Sequence, residues 1–168
     1  MEKNEIGKLS NEMTYLRYLM NKGKVRDLFQ KVTIPQYIAL HMIEAESTST
    51  VIYEGRTYLK DLADRMQLTI RQTSRLVSDL KERGLVEWSH DGVGSEGTYV
   101  TISENGQRFL EDQEEVLKVY YTRVIQKFGE QNLIELLQKM KQLETVMSSE
   151  IEEMEAGEGY DRSNEIED

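Results

Sequence analysis

LKDLADRMQLTIRQTSRLVSDLKERGLVEW, residues 59–88, is the most informative stretch of this 168-residue chain. Its first part predicts a short helix, because apolar residues recur at three- and four-residue spacing from Leu59 to Met66. Gln67 and Leu68 then make a tight turn, and Thr69 is placed to cap a second helix over residues 69–83. Gly84 follows at the position where a helix end favours a left-handed residue. The spacing therefore predicts two helices joined by a tight turn.

Two short strands are predicted after this helix pair. Residues 85–89 (LVEWS) and 98–102 (TYVTI) alternate in polarity, and a glycine-rich tip, residues 90–97 (HDGVGSEG), separates them. Short helix, turn, longer helix and hairpin follow one another in the order of a winged helix-turn-helix. The fold class predicted is mainly α with a small β-hairpin wing.

Further helices flank this region on both sides. The apolar residues of the first recur at helical spacing: Ile6, Leu9, Met13, Leu16 and Met20. Thr33 and Pro35 are typical of a helix start, and that second helix is predicted to end near Glu46. Ser103 with Glu104 opens another helix, which Gly129 ends. The last helix carries an apolar seam from Leu133 to Met154, which is longer than a compact core needs and indicates a partner helix; an intrachain core is the alternative.

The helix over residues 69–83 has two distinct faces. At about 100° per residue, the core side takes Thr73, Leu76, Val77 and Leu80, and the opposite side takes Arg71, Arg75 and Ser78, with Gln72 and Ser74 on the flanks. Arg can pair with guanine and Gln with adenine in the major groove, while Ser and Thr suit phosphates or base edges. The alternative is a solvated face in which Arg75 pairs with Asp79.

The sequence resembles the MarR-type winged-helix transcriptional regulators. The resemblance rests on residues 59–88 and on TYVTISENGQRFL, residues 98–110, with flanking helices that extend it to about residues 5–155. It implies a homodimer with interlocked terminal helices that binds pseudo-palindromic operator DNA. It also implies a cytoplasmic repressor, and many members of the family release DNA when they bind a small molecule. The regions implied are residues 1–33 and 104–156 for dimerisation and residues 34–103 for DNA binding.

The net charge of −10 first argues against nucleic acid as a partner. However, residues 1–143 carry 20 basic and 21 acidic residues, a net charge of −1, and residues 144–168 have a net charge of −9. The acidity is therefore mostly C-terminal. We expect residues 157–168 to form an acidic, flexible tail. No window approaches the apolar length of a membrane span, and the polar N-terminus favours no secretory signal.

The wing departs from the MarR pattern, which places an Asp-x-Arg near the hairpin tip with its Arg in the minor groove. Residues 84–107 contain no Lys or Arg, and Glu96 lies near the tip. We therefore expect weaker DNA binding with a shallower salt dependence than in a relative with a basic wing. The alternative function is a winged-helix protein-interaction module. Candidate DNA contacts are Thr69, Arg71, Gln72, Ser74, Arg75 and Ser78, with Lys60, Arg65, His90 and Ser95 as further contacts, chiefly to phosphate.

An enzyme is not predicted. The chain has no Cys, so disulfides, thiolate zinc sites and cysteine nucleophiles are excluded. The only histidines, His41 and His90, lie on different predicted elements, and no metal-ligand spacing or phosphate-binding loop occurs. No cofactor or metal is expected, and the identity of any small-molecule effector stays open.

Overall fold

A computed structural model describes residues 3–22, 27–29, 32–48, 55–92 and 97–164. Within these ranges the elements are, in chain order, α1 (Lys3–Lys22), α2 (Ile34–Thr48), β1 (Thr57–Tyr58), α3 (Leu59–Met66), α4 (Ile70–Glu82), β2 (Val86–His90), β3 (Thr98–Ile102), α5 (Glu104–Phe128) and α6 (Glu130–Asn164). The chain divides into two compact units, residues 1–117 and 118–168, so α5 begins in one and ends in the other. The functional regions predicted from the sequence end instead at residues 33, 103 and 156, because they were defined by expected role and not by compactness.

The core of the first unit lies where α2, α3, α4 and the sheet meet. Its most deeply buried side chains come from these four elements: Leu40, Ile43, Leu62, Val77, Leu80 and Val100. A fully buried side chain of this kind contributes roughly 1.5–3 kcal/mol to stability. The packing of α4 against this cluster sets which of its faces remains exposed.

The sheet has three antiparallel strands in the order β1-β3-β2. The observed β3 matches the predicted strand 98–102, whereas β2 begins at Val86 and not at Leu85. Leu85 instead belongs to the helix end, because its N–H donates to the carbonyl of Leu80 at 3.0 Å. The predicted two-stranded hairpin is thus incomplete: β1, which pairs Thr57 with Val100, is too short to show a periodic pattern.

The helix ends follow the local sequence signals. Thr33 caps α2 through a reciprocal pair: the Gln36 N–H donates to Thr33 Oγ1 at 3.3 Å, and the Thr33 N–H donates to Gln36 Oε1 at 2.9 Å. Gly84 has a φ of +68°, the left-handed conformation predicted after α4. These two signals lie within a few residues of the helix that they bound, which is why the sequence alone locates them.

Ser103 joins the end of α4 to the start of α5. Its hydroxyl donates to the Gly84 carbonyl at 2.7 Å and accepts from the Gly106 N–H at 3.0 Å. Its own N–H donates to the Leu85 carbonyl at 3.1 Å. The predicted start of α5 is confirmed, and the same serine also holds the turn that follows α4.

Two helices expose long apolar stripes. On α1 the five residues singled out in the sequence are all exposed, as are most members of the α6 seam. An intrachain core therefore does not account for either stripe. α6 also continues to Asn164, beyond the predicted tail boundary at residue 157. Gly157 and Gly159 each cost a helix only about 1 kcal/mol relative to Ala, and good helix formers such as Glu155 and Ala156 precede them. None of the described helices combines the length and apolarity needed to cross a membrane.

Candidate nucleic-acid interface

α3 and α4 form a helix-turn-helix with a very short connection. Gln67 ends α3 in the left-handed region with a φ of 53°, and its N–H donates to the Asp64 carbonyl at 3.1 Å. The Leu68 N–H donates to the Ala63 carbonyl at 3.0 Å, so both turn amides are satisfied by α3. The turn therefore places the start of α4 close to the end of α3.

The start of α4 carries a complete capping box. The Gln72 N–H donates to Thr69 Oγ1 at 3.2 Å, and the Thr69 N–H donates to Gln72 Oε1 at 2.9 Å. The Thr69 hydroxyl also donates to Gln72 Oε1 at 3.0 Å. Thr69 is confirmed as the N-cap, and the first turn of α4 is held rigidly by its own side chains.

The buried side of α4 is the one that the sequence predicts. Thr73, Val77 and Leu80 are fully buried, and Leu76 is partly buried against the same cluster. The Thr73 hydroxyl donates to the Thr69 carbonyl at 3.1 Å, which satisfies a polar group inside an apolar core. The opposite side of α4 is left facing solvent.

That solvent-facing side presents two arginines. Arg71 and Arg75 are exposed one turn apart, and Ser74 and Ser78 beside them are partly buried. Within the part of the chain that the structure describes, neither arginine makes an ion pair or a side-chain hydrogen bond, and Asp79 does not pair with Arg75. The solvated ion-pair alternative is therefore not what this structure contains. Two guanidinium groups remain available to an external acceptor.

Gln72 serves the helix start. Bidentate pairing with adenine requires both the oxygen and the nitrogen of its side-chain amide. Here Oε1 already accepts two hydrogen bonds from Thr69. The geometry thus gives Gln72 a capping role, and adenine recognition by Gln72 stays a prediction.

The two phosphate candidates on α3 differ from the α4 arginines. Arg65 Nη1 lies 2.7 Å from Glu46 Oε1 of α2, so this predicted phosphate contact is an internal ion pair in the structure. Lys60 is exposed in the first turn of α3 and also has an interaction partner within the protein. α3 therefore offers less unpaired positive charge than the sequence suggests.

The outer end of the wing is anchored to Tyr58, the last residue of β1 and the N-cap of α3. The Tyr58 hydroxyl donates to Asp91 Oδ2 at 3.1 Å, and the Asp91 N–H donates to the Gly97 carbonyl at 3.1 Å. His90 is exposed, but its Nδ1 accepts from the Gly92 N–H at 3.0 Å. The predicted contact Ser95 lies in residues 93–96, outside the described residues.

Comparison with solved structures identifies this architecture. A MarR family protein from Bacillus stearothermophilus aligns with a TM-score of 0.60 and 20% identity, over 88% of this chain and 99% of that one. S. aureus MepR in its DNA-binding conformation aligns with a TM-score of 0.62 and 13% identity, over 83% and 98% of the two chains. The chain has the MarR winged-helix fold.

A third solved structure with a similar fold carries a ligand. The PcaV transcriptional regulator from Streptomyces coelicolor, solved in complex with its natural ligand, aligns with a TM-score of 0.61 and 16% identity, over 82% of this chain and 89% of that one. No family model and no curated protein matches the sequence. At these identities the similarity establishes the MarR fold and carries no individual residue role.

The sequence did not indicate that Arg56 lies beside the wing. The hairpin itself lacks Lys and Arg, but β1 pairs with β3 and brings Arg56 beside it. The Arg56 guanidinium lies 4.9 Å from the centre of the Tyr99 ring, and the Tyr58 and Tyr99 rings are 6.0 Å apart. The only local signal was a Thr-Tyr pair of high strand propensity, which is too short to predict a strand.

A second missed residue is Ile70, the first residue of α4. Its side chain is 54% exposed, whereas Val77 and Leu80 of the same helix are fully buried. The spacing from Thr73 and Val77 places Ile70 near the core side of the helix, but the core ends before the first turn. Only the packed structure distinguishes this position from a buried one. Within the described ranges, no group of three or more His, Asp or Glu side chains is placed to hold a metal ion.

Proposed function

We propose that the protein is a homodimeric transcriptional regulator that binds operator DNA with α4 in the major groove. The observation that carries this proposal is the exposed arginine pair, Arg71 and Arg75, on a rigidly capped helix and without an acidic partner among the described residues. A like-charge pair at this spacing destabilises an isolated helix by a few tenths of a kcal/mol. An external anion or a base edge compensates for that repulsion.

Arg71 and Arg75 recognise bases, and the shorter side chains of Ser74 and Ser78 contact phosphates or base edges that lie close to the helix. Arg forms bidentate hydrogen bonds with O6 and N7 of guanine, and each such pair discriminates by about 1–3 kcal/mol. The N–H groups in the first turn of α4 that the Thr69 capping box leaves unbonded are suited to phosphate, and Thr69 holds that turn in place. The recognised half-site is therefore expected to contain guanine.

The wing contributes less charge than a basic wing. Glu87 and Asp91 are exposed on the hairpin strand and its end, and the sequence of residues 84–107 has no cation. Fewer phosphates are neutralised, so the affinity falls less steeply with salt. Arg56 stacks on the Tyr99 ring beside the hairpin, so His90 and backbone N–H groups are the remaining contacts that we assign to this side of the interface.

The exposed apolar stripes support the homodimer. The α1 stripe comprises Ile6, Leu9, Met13, Leu16 and Met20, and the α6 seam includes Leu136, Met140 and Leu143, all exposed. Contiguous apolar surface of this extent is typical of an interface. Light scattering tests the assembly. A particle of twice the chain mass of 19.6 kDa supports it, and a monomer at micromolar concentration contradicts it.

The DNA-binding test uses fluorescence anisotropy with the DNA upstream of the protein's own gene, at low and moderate salt. The R71A/R75A variant should lose at least about thirtyfold in specific affinity, because two base contacts of about 1 kcal/mol or more disappear. The control is R108A, which removes an exposed arginine of α5 that pairs with Glu104 at 3.3 Å.

The outcomes of this test separate the two functions. A specific complex that R71A/R75A abolishes and R108A retains supports the regulator. Absence of any complex at micromolar dimer and low salt contradicts it and favours the protein-interaction module. A complex unaffected by R71A/R75A shows that α4 is not the recognition surface.

Repression in the cytoplasm and release by a small-molecule effector complete the proposal. The ligand-bound solved neighbour supports the effector, and the resemblance to MarR-type regulators supports repression. A promoter–reporter fusion tests both points: deletion of the protein should raise expression, and an effector should raise it only when the protein is present.

A further inference from the structure

We infer that Ile70 contacts the C5-methyl group of a thymine in the operator half-site. This inference rests on the proposed function and adds a base preference that the arginines do not supply. Ile70 is the first residue of α4 and is 54% exposed, next to the N-cap Thr69 and the exposed Arg71. A single exposed apolar side chain is common on protein surfaces, so its position must carry the argument.

The position places Ile70 at the end of a row of small residues. Ile70, Ser74 and Ser78 follow one another at four-residue spacing, and they flank the row formed by Arg71 and Arg75. Ser74 and Ser78 are partly buried, so Ile70 is the large side chain that protrudes from this row. A helix that enters the major groove contacts base edges with its N-terminal residues. Ile70 therefore lies where base edges are expected.

The chemistry of the groove then selects the contact. The edges of guanine, adenine and cytosine present donors and acceptors in the major groove, and thymine alone adds a methyl group. An isoleucine against a polar edge would displace water from groups that it cannot satisfy. Against the thymine methyl, the same side chain removes apolar surface from water on both molecules.

The capping box strengthens the assignment. Because Gln72 is engaged by Thr69, the first turn of α4 presents Arg71 and Ile70 as its two side chains of long reach. These residues are adjacent in sequence, so the bases that they contact lie close together. A thymine near a guanine is the half-site element that this surface predicts.

The chain contains its own control for a purely structural explanation. α2 begins with Thr33, Ile34, Pro35 and Gln36, and it carries the same kind of capping box as the Thr69, Ile70, Arg71 and Gln72 start of α4. Ile34 is also exposed, at 40%. If isoleucine only favours a helix start, I34A and I70A should behave alike toward DNA.

The experiment begins with selection of a bound sequence from random duplex DNA. Each thymine of the selected half-site is then replaced by uracil, which removes the methyl group and retains the base pair. Dissociation constants are measured for wild type, I70A and I34A on the thymine and uracil duplexes, with circular dichroism as the folding control. For wild type, one uracil should weaken binding about fourfold, the factor that corresponds to one buried methyl group.

The ratio of the uracil to the thymine dissociation constant is the quantity to compare, because general effects of a variant cancel in it. A thymine whose methyl matters to wild type and to I34A, but not to I70A, supports the inference. Three results overturn the inference while leaving DNA binding intact. In the first, uracil weakens binding of I70A by the same factor as wild type; in the second, I34A no longer responds to uracil. In the third, no thymine-to-uracil change weakens binding of wild type. Failure to select any sequence contradicts the proposed function itself.

Discussion

Gly106 in the first turn of α5 is the position at which one added methyl group should have the largest structural effect. A Cβ built there would overlap the backbone carbonyl oxygen of Leu85, and it would lie 2.8 Å from Cγ1 of Ile102 and 3.0 Å from the Leu85 carbonyl carbon. The obstacle is mainly backbone, so a change of side-chain rotamer does not relieve it. The G106A variant must move the start of α5 or the turn after α4.

That turn is held from both sides. The Leu85 carbonyl accepts from the Ser103 N–H at 3.1 Å, and the Leu85 N–H donates to the Leu80 carbonyl at 3.0 Å. Overpacking of this kind lowers the free energy of unfolding by about 1–3 kcal/mol, whereas the higher helix propensity of Ala raises it by at most about 1 kcal/mol. We expect a net loss of about 1–2 kcal/mol, which lowers Tm by about 2–8 °C in a chain of this size.

The assay is differential scanning calorimetry of G106A beside G7A. Gly7 lies in α1, where a Cβ meets nothing within 4 Å, so G7A should keep or raise Tm by the propensity gain. If G106A melts within about 1 °C of wild type, or behaves as G7A does, the close approach of α5 to Leu85 is not as described and the reasoning is refuted.

Three further predictions concern α4, α3 and the wing. T69A should lose about 1 kcal/mol of unfolding free energy in urea titrations, because it removes the α4 cap; T33A at α2 is the matched comparison, and an unchanged midpoint in T69A would contradict the cap. R65A should lower the free energy of unfolding by less than about 1 kcal/mol, because the Arg65–Glu46 pair is partly exposed. R65A should also weaken operator binding less than R71A does. If R65A weakens binding more than R71A, Arg65 is a phosphate contact after all. E96R should tighten DNA binding and steepen the slope of log K against log salt by about 1; an unchanged slope would place the wing away from phosphate.

Much of the candidate site was predictable because its signals are local. The cap at Thr69, the turn at Gln67 and the left-handed Gly84 each depend on residues within about one helical turn. The burial of Thr73, Val77 and Leu80 follows from the same periodicity. These elements were predicted correctly, and the MarR resemblance drawn from them agrees with the fold of the solved neighbours.

Other features depended on competition between partners. Gln72 was suited to adenine by residue type, but the N–H and hydroxyl of Thr69 both donate to its amide oxygen. Arg65 was suited to phosphate, but Glu46 of α2 lies 2.7 Å away. Residue type and spacing state what a side chain is able to bind, whereas the fold sets which partner is nearest.

Local periodicity and capping chemistry thus establish the helix-turn-helix, the direction of its buried face and the apolar stripes of the terminal helices. Contacts between residues far apart in sequence lie beyond such signals. The pairing of Thr57 with Val100 brings Arg56 to the wing, and the limit of the core leaves Ile70 in solvent. Both outcomes depend on which segments distant in sequence pack against each other, and a local sequence pattern carries no information about those contacts.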